Sequence, residues 1–123
     1  MSISEAIVTE LIESYSVEED INFCKKWLED RNYELSYDLP DEENDIVFSG
    51  HARTTDGWSV AEIVVHSPGA GELLIEAYIG DNGDARDVRE VKSLQTRAEK
   101  DADLLGNELK NRHTPLPYDP FDL

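Results

Sequence analysis

The spacing of apolar residues changes twice along the chain, and each change marks a new type of element. Apolar residues first recur every three or four positions, at Ile3, Ile7, Val8, Leu11, Ile12 and Tyr15. This spacing predicts a helix over residues 2–15, and a second apolar stripe predicts another over 16–32. Both segments begin with a serine and a glutamate three residues later, which is the capping-box pattern of a helix start.

A period of two then replaces the helical spacing. Apolar and polar residues alternate over 33–39, which predicts a strand with one face towards water. Three more strands follow, over 46–53, from Trp58 to His66, and over 72–79. The links between them are short and rich in turn residues, such as Asp56-Gly57, so we expect an antiparallel meander rather than a parallel sheet with crossover helices.

The last part of the chain returns to helical spacing and then becomes rich in proline. Residues 84–112 predict one long helix, with Asp84 as its N-cap and the small residues Ala98 and Ala102 at its middle. The prolines of HTPLPYDPFDL favour an extended tail. The predicted fold class is α+β: two N-terminal helices, a four-stranded antiparallel meander sheet, a long C-terminal helix and a Pro-rich tail. We expect one domain over 1–112 and the tail over 113–123.

Length, hydropathy and cysteine content narrow the class of protein. A chain of 123 residues fits a single domain. No apolar run approaches the length of a membrane span, and no secretory signal pattern is visible. Cys24 is the only cysteine, so an internal disulfide is impossible. These features predict a cytoplasmic protein in a reducing compartment.

The charge is strongly acidic and unevenly distributed. Twenty-eight acids against eleven bases give a net charge of -17. This charge repels nucleic acid and anionic membranes, so we expect neither as a direct partner. Residues 84–112 carry seven acids and seven bases, so the whole excess lies elsewhere. Plain solubility stays open, but an uneven distribution favours a functional acidic surface that binds a basic surface of another protein.

These considerations predict a non-enzymatic binding protein that blocks a basic, nucleic-acid-binding surface on its target, as an anti-defence or immunity protein or a DNA mimic does. The predicted contact residues are mostly acids of the first two helices and the loop after them. They are Glu10, Glu13, Glu18, Glu19, Asp20, Asp41, Glu42, Glu43 and Asp45, together with the aromatic residues Trp27, Tyr118 and Phe121. The tail aromatics lie among prolines and aspartates, a composition suited to docking in a groove.

Two other functions remain open at this point. An export or assembly chaperone would dimerise through the helix over 84–112, whose small-residue centre allows close approach. A small enzyme would use His51 and His66 on neighbouring strands, with Glu62 or Glu76. The acidic loop lacks the ligand spacing of a calcium site, and no phosphate-binding glycine motif is visible, so we predict no metal and no cofactor.

Overall fold

Two helices cover one face of a five-stranded antiparallel sheet. The computed structural model describes residues 6–14, 16–37, 46–69, 71–80 and 87–113. Its elements are β1 (Ala6–Glu13), α1 (Val17–Asp30), β2 (Glu34–Ser36), β3 (Ile46–Arg53), β4 (Ser59–His66), β5 (Glu72–Ile79) and α2 (Val88–His113). The strand order is β1-β5-β4-β3-β2. The α+β class is therefore confirmed, with one strand more and one helix fewer than the sequence predicts.

The predicted meander forms strands β2 to β5, each pairing antiparallel with the next. The turn between β3 and β4 is built on the predicted Asp56-Gly57 pair. Gly57 has a φ of 94°, which a residue without a Cβ adopts at little cost. The Thr54 N–H donates to the Trp58 carbonyl at 2.8 Å and closes the turn.

The predicted helix over residues 2–15 is wrong, because residues 6–13 form the edge strand β1, which pairs with β5. The local pattern is ambiguous. Val8, Glu10 and Ile12 all lie on the side of β1 that faces the helices. Because Glu10 is charged, it hides the alternation of apolar and polar residues in the sequence. Glu10 is accommodated there because it pairs with Lys110 of α2 and packs against Gly106, where a Cβ would lie 2.7 Å from the Glu10 Cγ. Tertiary packing thus outweighs a helix-like spacing.

The predicted second helix forms as α1 and ends at Asp30, two residues before the predicted end. Asn32 has a φ of 67°, and the Asn32 and Tyr33 N–H groups donate to the carbonyls of Glu29 and Leu28. This is the Schellman arrangement, which satisfies carbonyls at a helix end. At the start of α1, Ser16 occupies the N-cap position, but its side chain makes no capping hydrogen bond.

The long helix α2 starts later than predicted. It begins at Val88, and the Asp87 carboxylate accepts hydrogen bonds from the backbone N–H groups of Arg89 and Glu90, at 3.0 and 3.1 Å. Asp87 therefore acts as the cap, since its oxygen satisfies donors that the first turn leaves unpaired. His113, predicted as the first residue of the tail, is the last residue of α2, and Asp84 and residues 114–123 lie outside the described residues.

The core lies between the sheet and the two helices. Its buried residues are Ile12, Cys24, Trp27, Leu28, Tyr33, Phe48, Ala52, Ala61, Ile63, Val65, Leu73, Ile75, Ala77, Ala98, Ala102, Leu105 and Leu109. The small residues Ala98 and Ala102 let α2 approach the sheet closely. Because Ala98 and Ala102 pack against the core of their own protomer, they give no support to a dimer through α2. Such a dimer stays a prediction.

Candidate functional site

The sheet face opposite the helices gathers five carboxylates. In antiparallel pairs, residues directly opposite each other point to the same face. Glu13 lies opposite Glu72, and Glu62 lies opposite both His51 on β3 and Tyr78 on β5. Tracing these pairs from β1 to β2 collects one set of acids, which we call the acidic sheet face: Glu13, Glu34, Glu62, Glu72 and Glu76. No described helix packs on this side.

Within the described part of the chain, few cations offset this charge. Arg53 of β3 binds the outermost acid, with its Nε 3.2 Å from Glu34 Oε2. Apolar side chains lie between the acids, because Leu11 is opposite Leu74 across the β1–β5 pair and is 54% exposed. Alternating carboxylates and exposed apolar side chains suit a partner surface that is basic and partly hydrophobic.

Both histidines of the predicted enzyme site lie on this face, each beside a different glutamate. His66 Nε2 is 2.7 Å from Glu76 Oε1. His51 Nδ1 is 3.7 Å from Glu62 Oε2. In the strand register, His51 is opposite Glu62 and His66 is opposite Ile46, so the histidines do not face each other. The structure therefore brings together the named His and Glu residues as two separate pairs.

The ring nitrogens of His51 are also held by hydroxyl groups. Nδ1 lies 2.9 Å from Ser59 Oγ, and Nε2 lies 3.2 Å from Ser49 Oγ. Ser49 is only 4% exposed, so a substrate would reach its hydroxyl poorly. A serine nucleophile needs access to the bond it attacks as well as a base. The arrangement fixes the imidazole in the sheet more readily than it prepares Ser49 for attack.

Tyr78 stands between two acids of the face. Burial raises the pKa of the Tyr78 hydroxyl, and the charges of Glu76 and Glu62 raise this pKa further. The phenol therefore keeps its proton and can donate a hydrogen bond, while the carboxylates around it only accept.

Three predicted contact acids are exposed near one end of the sheet. Glu13 ends β1, and Glu18 and Glu19 lie in the first turn of α1, directly after the connection that follows. Glu13 belongs to the acidic sheet face, whereas Glu18 and Glu19 stand on α1, which packs on the other side of the sheet. Acids in the first turn are also favourable to the helix dipole, so their presence in α1 has a structural use as well.

Three other predicted contact residues lie on the helix side and have intramolecular partners. Asp20 is 1% exposed, accepts a hydrogen bond from Ser14 Oγ at 2.5 Å and lies 3.4 Å from Arg112 Nε. Glu10 pairs with Lys110. Trp27 is 6% exposed, and its Nε1 donates to Glu108 at 2.7 Å. We therefore leave these three out of the proposed contact surface.

The remaining predicted contact residues, Asp41, Glu42, Glu43, Asp45, Tyr118 and Phe121, lie outside the described residues. Glu34 and Glu72 were not predicted as contacts, and Glu62 and Glu76 were predicted only as partners of the histidines in an enzyme. A signal was present, because the period of two in β4 and β5 places Glu62, Glu72 and Glu76 at alternate positions. Which residues of neighbouring strands lie on the same side of the sheet, however, depends on the pairing register.

Comparison with family models, curated proteins and solved structures finds no match to this chain. The described residues contain no group of three His, Cys, Asp or Glu side chains that could hold a metal ion. Within the same residues, neither helix is long and apolar enough to cross a membrane.

Proposed function

We propose that this protein is a non-enzymatic binding protein whose acidic sheet face occupies the basic, nucleic-acid-binding surface of a target protein and blocks it. An inhibitor such as an anti-defence or immunity protein acts in this way. The observation that carries the proposal is the collection of five carboxylates on the one sheet face that the described helices leave open. Complementary charge of this kind speeds encounter and selects the partner.

One pair of acids on this face, Glu13 and Glu72, is costly for the fold, which favours a functional reason for it. Glu13 and Glu72 lie directly opposite each other on β1 and β5. Like charges in this position destabilise a sheet, whereas an opposite-charge pair would stabilise it. Neither carboxylate has a hydrogen bond or ion pair within the described part of the chain. Binding a basic partner would relieve this repulsion.

The spacing of the face is compatible with a partial mimic of nucleic acid. Neighbouring strands lie about 4.8 Å apart, so carboxylates on adjacent strands form closely spaced rows. Duplex DNA presents one charge about every 1.7 Å along its axis, and a protein that holds phosphates does so with lysine and arginine. The face would meet those cations with carboxylates, while Leu11 supplies apolar contact.

The proposal is tested by capturing targets from native lysate with the tagged protein across a series of salt concentrations. Captured proteins are identified and then challenged with duplex DNA. We expect a nucleic-acid-handling protein that both salt and DNA displace. Capture of a client that DNA does not displace would instead favour a chaperone.

Charge-reversed variants locate the contact. Glu13→Lys with Glu72→Lys should abolish capture of the identified target. Glu29→Lys with Asp30→Lys changes the net charge equally at the far end of α1, where both residues are exposed, and should leave capture intact. Equal loss in both variants would show that total charge, and not the acidic sheet face, governs binding.

A further inference from the structure

A groove of opposite charge lies on the outer side of α2. Its volume is about 510 Å³, and its described lining consists of basic and hydroxyl side chains: Arg89, Lys92, Ser93, Thr96, Arg97 and Lys100. All of these side chains can donate hydrogen bonds, and none is a carboxylate. In a chain with a net charge of -17, such a concentration of donors is unexpected.

Three of these bases have charges that the described fold does not use. Arg89, Lys92 and Lys100 are exposed and form no ion pair within the described residues. A solvated helix commonly places an acid four residues from a base. Here the residues four positions after Arg89 and Lys92 are Ser93 and Thr96, which leaves both cations available.

The fourth base is partly neutralised. Arg97 Nε lies 3.8 Å from Asp101 Oδ2, and its guanidinium group stands 5.2 Å from the centre of the Tyr33 ring. Arg97 therefore helps to hold α2 on the core. A ligand in the groove would meet mainly the charges of Arg89, Lys92 and Lys100.

The groove is electrostatically separate from the acidic sheet face at physiological salt. α2 packs on the opposite side of the sheet, so the thickness of a helix and a sheet, about 20 Å, separates the two surfaces. The Debye length is about 8 Å at 0.15 M salt and about 30 Å at 0.01 M. The distant acids therefore repel an anionic ligand strongly only when the salt concentration is low.

Acidic residues limit the groove at both ends, which selects a short ligand. Asp87 and Glu90 lie beside Arg89, and Glu99 and Asp103 line the next groove beyond Lys100. From Arg89 to Lys100 the helix rises about 16 Å. A nucleic acid that continued beyond this length would place phosphates against these acids. About five residues of extended peptide span the same distance and can end where the bases end.

We propose that this groove binds a short, carboxylate-rich peptide segment of a partner protein. The guanidinium of Arg89 can hold a carboxylate through two parallel hydrogen bonds, and Lys92 and Lys100 supply point charges along the segment. The Ser93 and Thr96 hydroxyls add donors between them. This site lies on a different surface from the acidic sheet face and does not depend on the function proposed for that face.

The probe is a fluorescein-labelled peptide of about six residues, most of them glutamate, and binding is followed by fluorescence anisotropy. We expect tighter binding at about 0.15 M salt than at about 0.01 M, because screening removes the repulsion from the far face, and weak binding at about 1 M. No binding at any salt concentration would overturn the proposal.

Two variants with the same change in net charge separate local from global effects. Lys92→Glu with Lys100→Glu should weaken binding at least about tenfold. Lys26→Glu with Arg53→Glu, both exposed and outside the groove, should change it less than about twofold. Equal weakening in both would overturn the assignment. Tighter binding of a single-stranded oligonucleotide of equal charge, lost in the groove variant, would also overturn it in favour of phosphate recognition.

Discussion

Carboxylates on the helix side of the sheet differ from the Glu13–Glu72 pair on its open side. On the helix side, acids have partners in the fold: Asp101 accepts a hydrogen bond from the Tyr33 hydroxyl at 2.7 Å, and Glu108 accepts one from Trp27 Nε1. On the open side, Glu13 and Glu72 face each other without a partner in the described chain. The first group stabilises the protomer, whereas the second group works against it.

This difference teaches that net charge describes the protein poorly. The same residue type acts as an internal hydrogen-bond acceptor on one face and as an unbalanced surface charge on the other. An acid that the fold uses is hard to replace, because its donor would lose its partner. An acid that the fold does not use is available to another molecule.

The largest effect is expected from the replacement of Asp20, and its neighbour Glu19 provides the control. Asp20→Ala should lower the free energy of unfolding by about 3 kcal/mol, because Ser14 and Arg112 lose a buried partner. Glu19→Ala should change it by less than about 0.5 kcal/mol, because Glu19 is exposed. Urea denaturation measures both. Similar losses would mean that burial does not separate the two kinds of acid.

The second effect is a loss of stability at high pH. Burial, followed by the charge of Asp20, raises the pKa of the Cys24 thiol from 9.0 to about 12. Above pH 9 the unfolded chain releases this proton while the folded chain keeps it, so the free energy of unfolding falls as pH rises towards the folded pKa. The loss should reach roughly 2 kcal/mol near pH 11.

Cys24→Ala is the control for this linkage and is compared with the original chain by urea denaturation at several pH values. The variant should be less stable near neutral pH because it leaves a cavity, but its stability should fall less between pH 9 and 11. A residual decline is expected above pH 10, since burial also raises the pKa of Tyr33. Identical slopes would contradict the assignment to Cys24.

The third effect concerns the contact that holds Glu10 on the helix side. A Cβ at position 106 would lie 2.7 Å from Glu10 Cγ, so Gly106→Ala should destabilise the protein by about 1–2 kcal/mol despite the better helix propensity of alanine. Adding Glu10→Ala should recover part of this loss, because it removes the Cγ contact at 2.7 Å and leaves only the Cβ contact at 2.8 Å. A double-mutant cycle measured by thermal denaturation gives the coupling, and purely additive losses would count against the contact.

The smallest effect has the opposite sign. Glu13→Lys should raise the free energy of unfolding by about 0.5 kcal/mol, because the new cation lies opposite Glu72 on the neighbouring strand. The gain should diminish in high salt. Glu29→Lys, an exposed change of equal charge on α1, provides the comparison. A loss of stability in Glu13→Lys would show that the fold uses this acid after all.

Much of the fold could be predicted because its signals are local. Short apolar runs separated by turn residues mark β3, β4 and β5, and the Asp56-Gly57 turn fixes how β3 meets β4. The end of α1 could also be predicted near Asn32, because a polar residue after the last apolar position of a helix commonly adopts the left-handed conformation found there. These features depend on residues close together in the chain.

The first segment could not be predicted, because its structure depends on residues far away. Its apolar spacing is that of a helix, but residues 6–13 pair with the edge of β5. Gly106 and Lys110 of α2 make room for Glu10 and pair with it, respectively. No window around Glu10 contains this information. The same limitation affected the candidate site, since Asp20 and Trp27 have their partners on α2.

The sequence by itself determined the α+β class, the meander and the excess of acid, because spacing, turn chemistry and composition act over a few residues or over the whole chain. Only the tertiary structure decided which acids are buried and which face outwards. Strand register aligned Glu13 with Glu72 and Glu62 with Tyr78, and helix packing chose the face to be covered. Burial and cross-strand pairing bring together segments that are far apart in the sequence, so they exist only after the chain has folded.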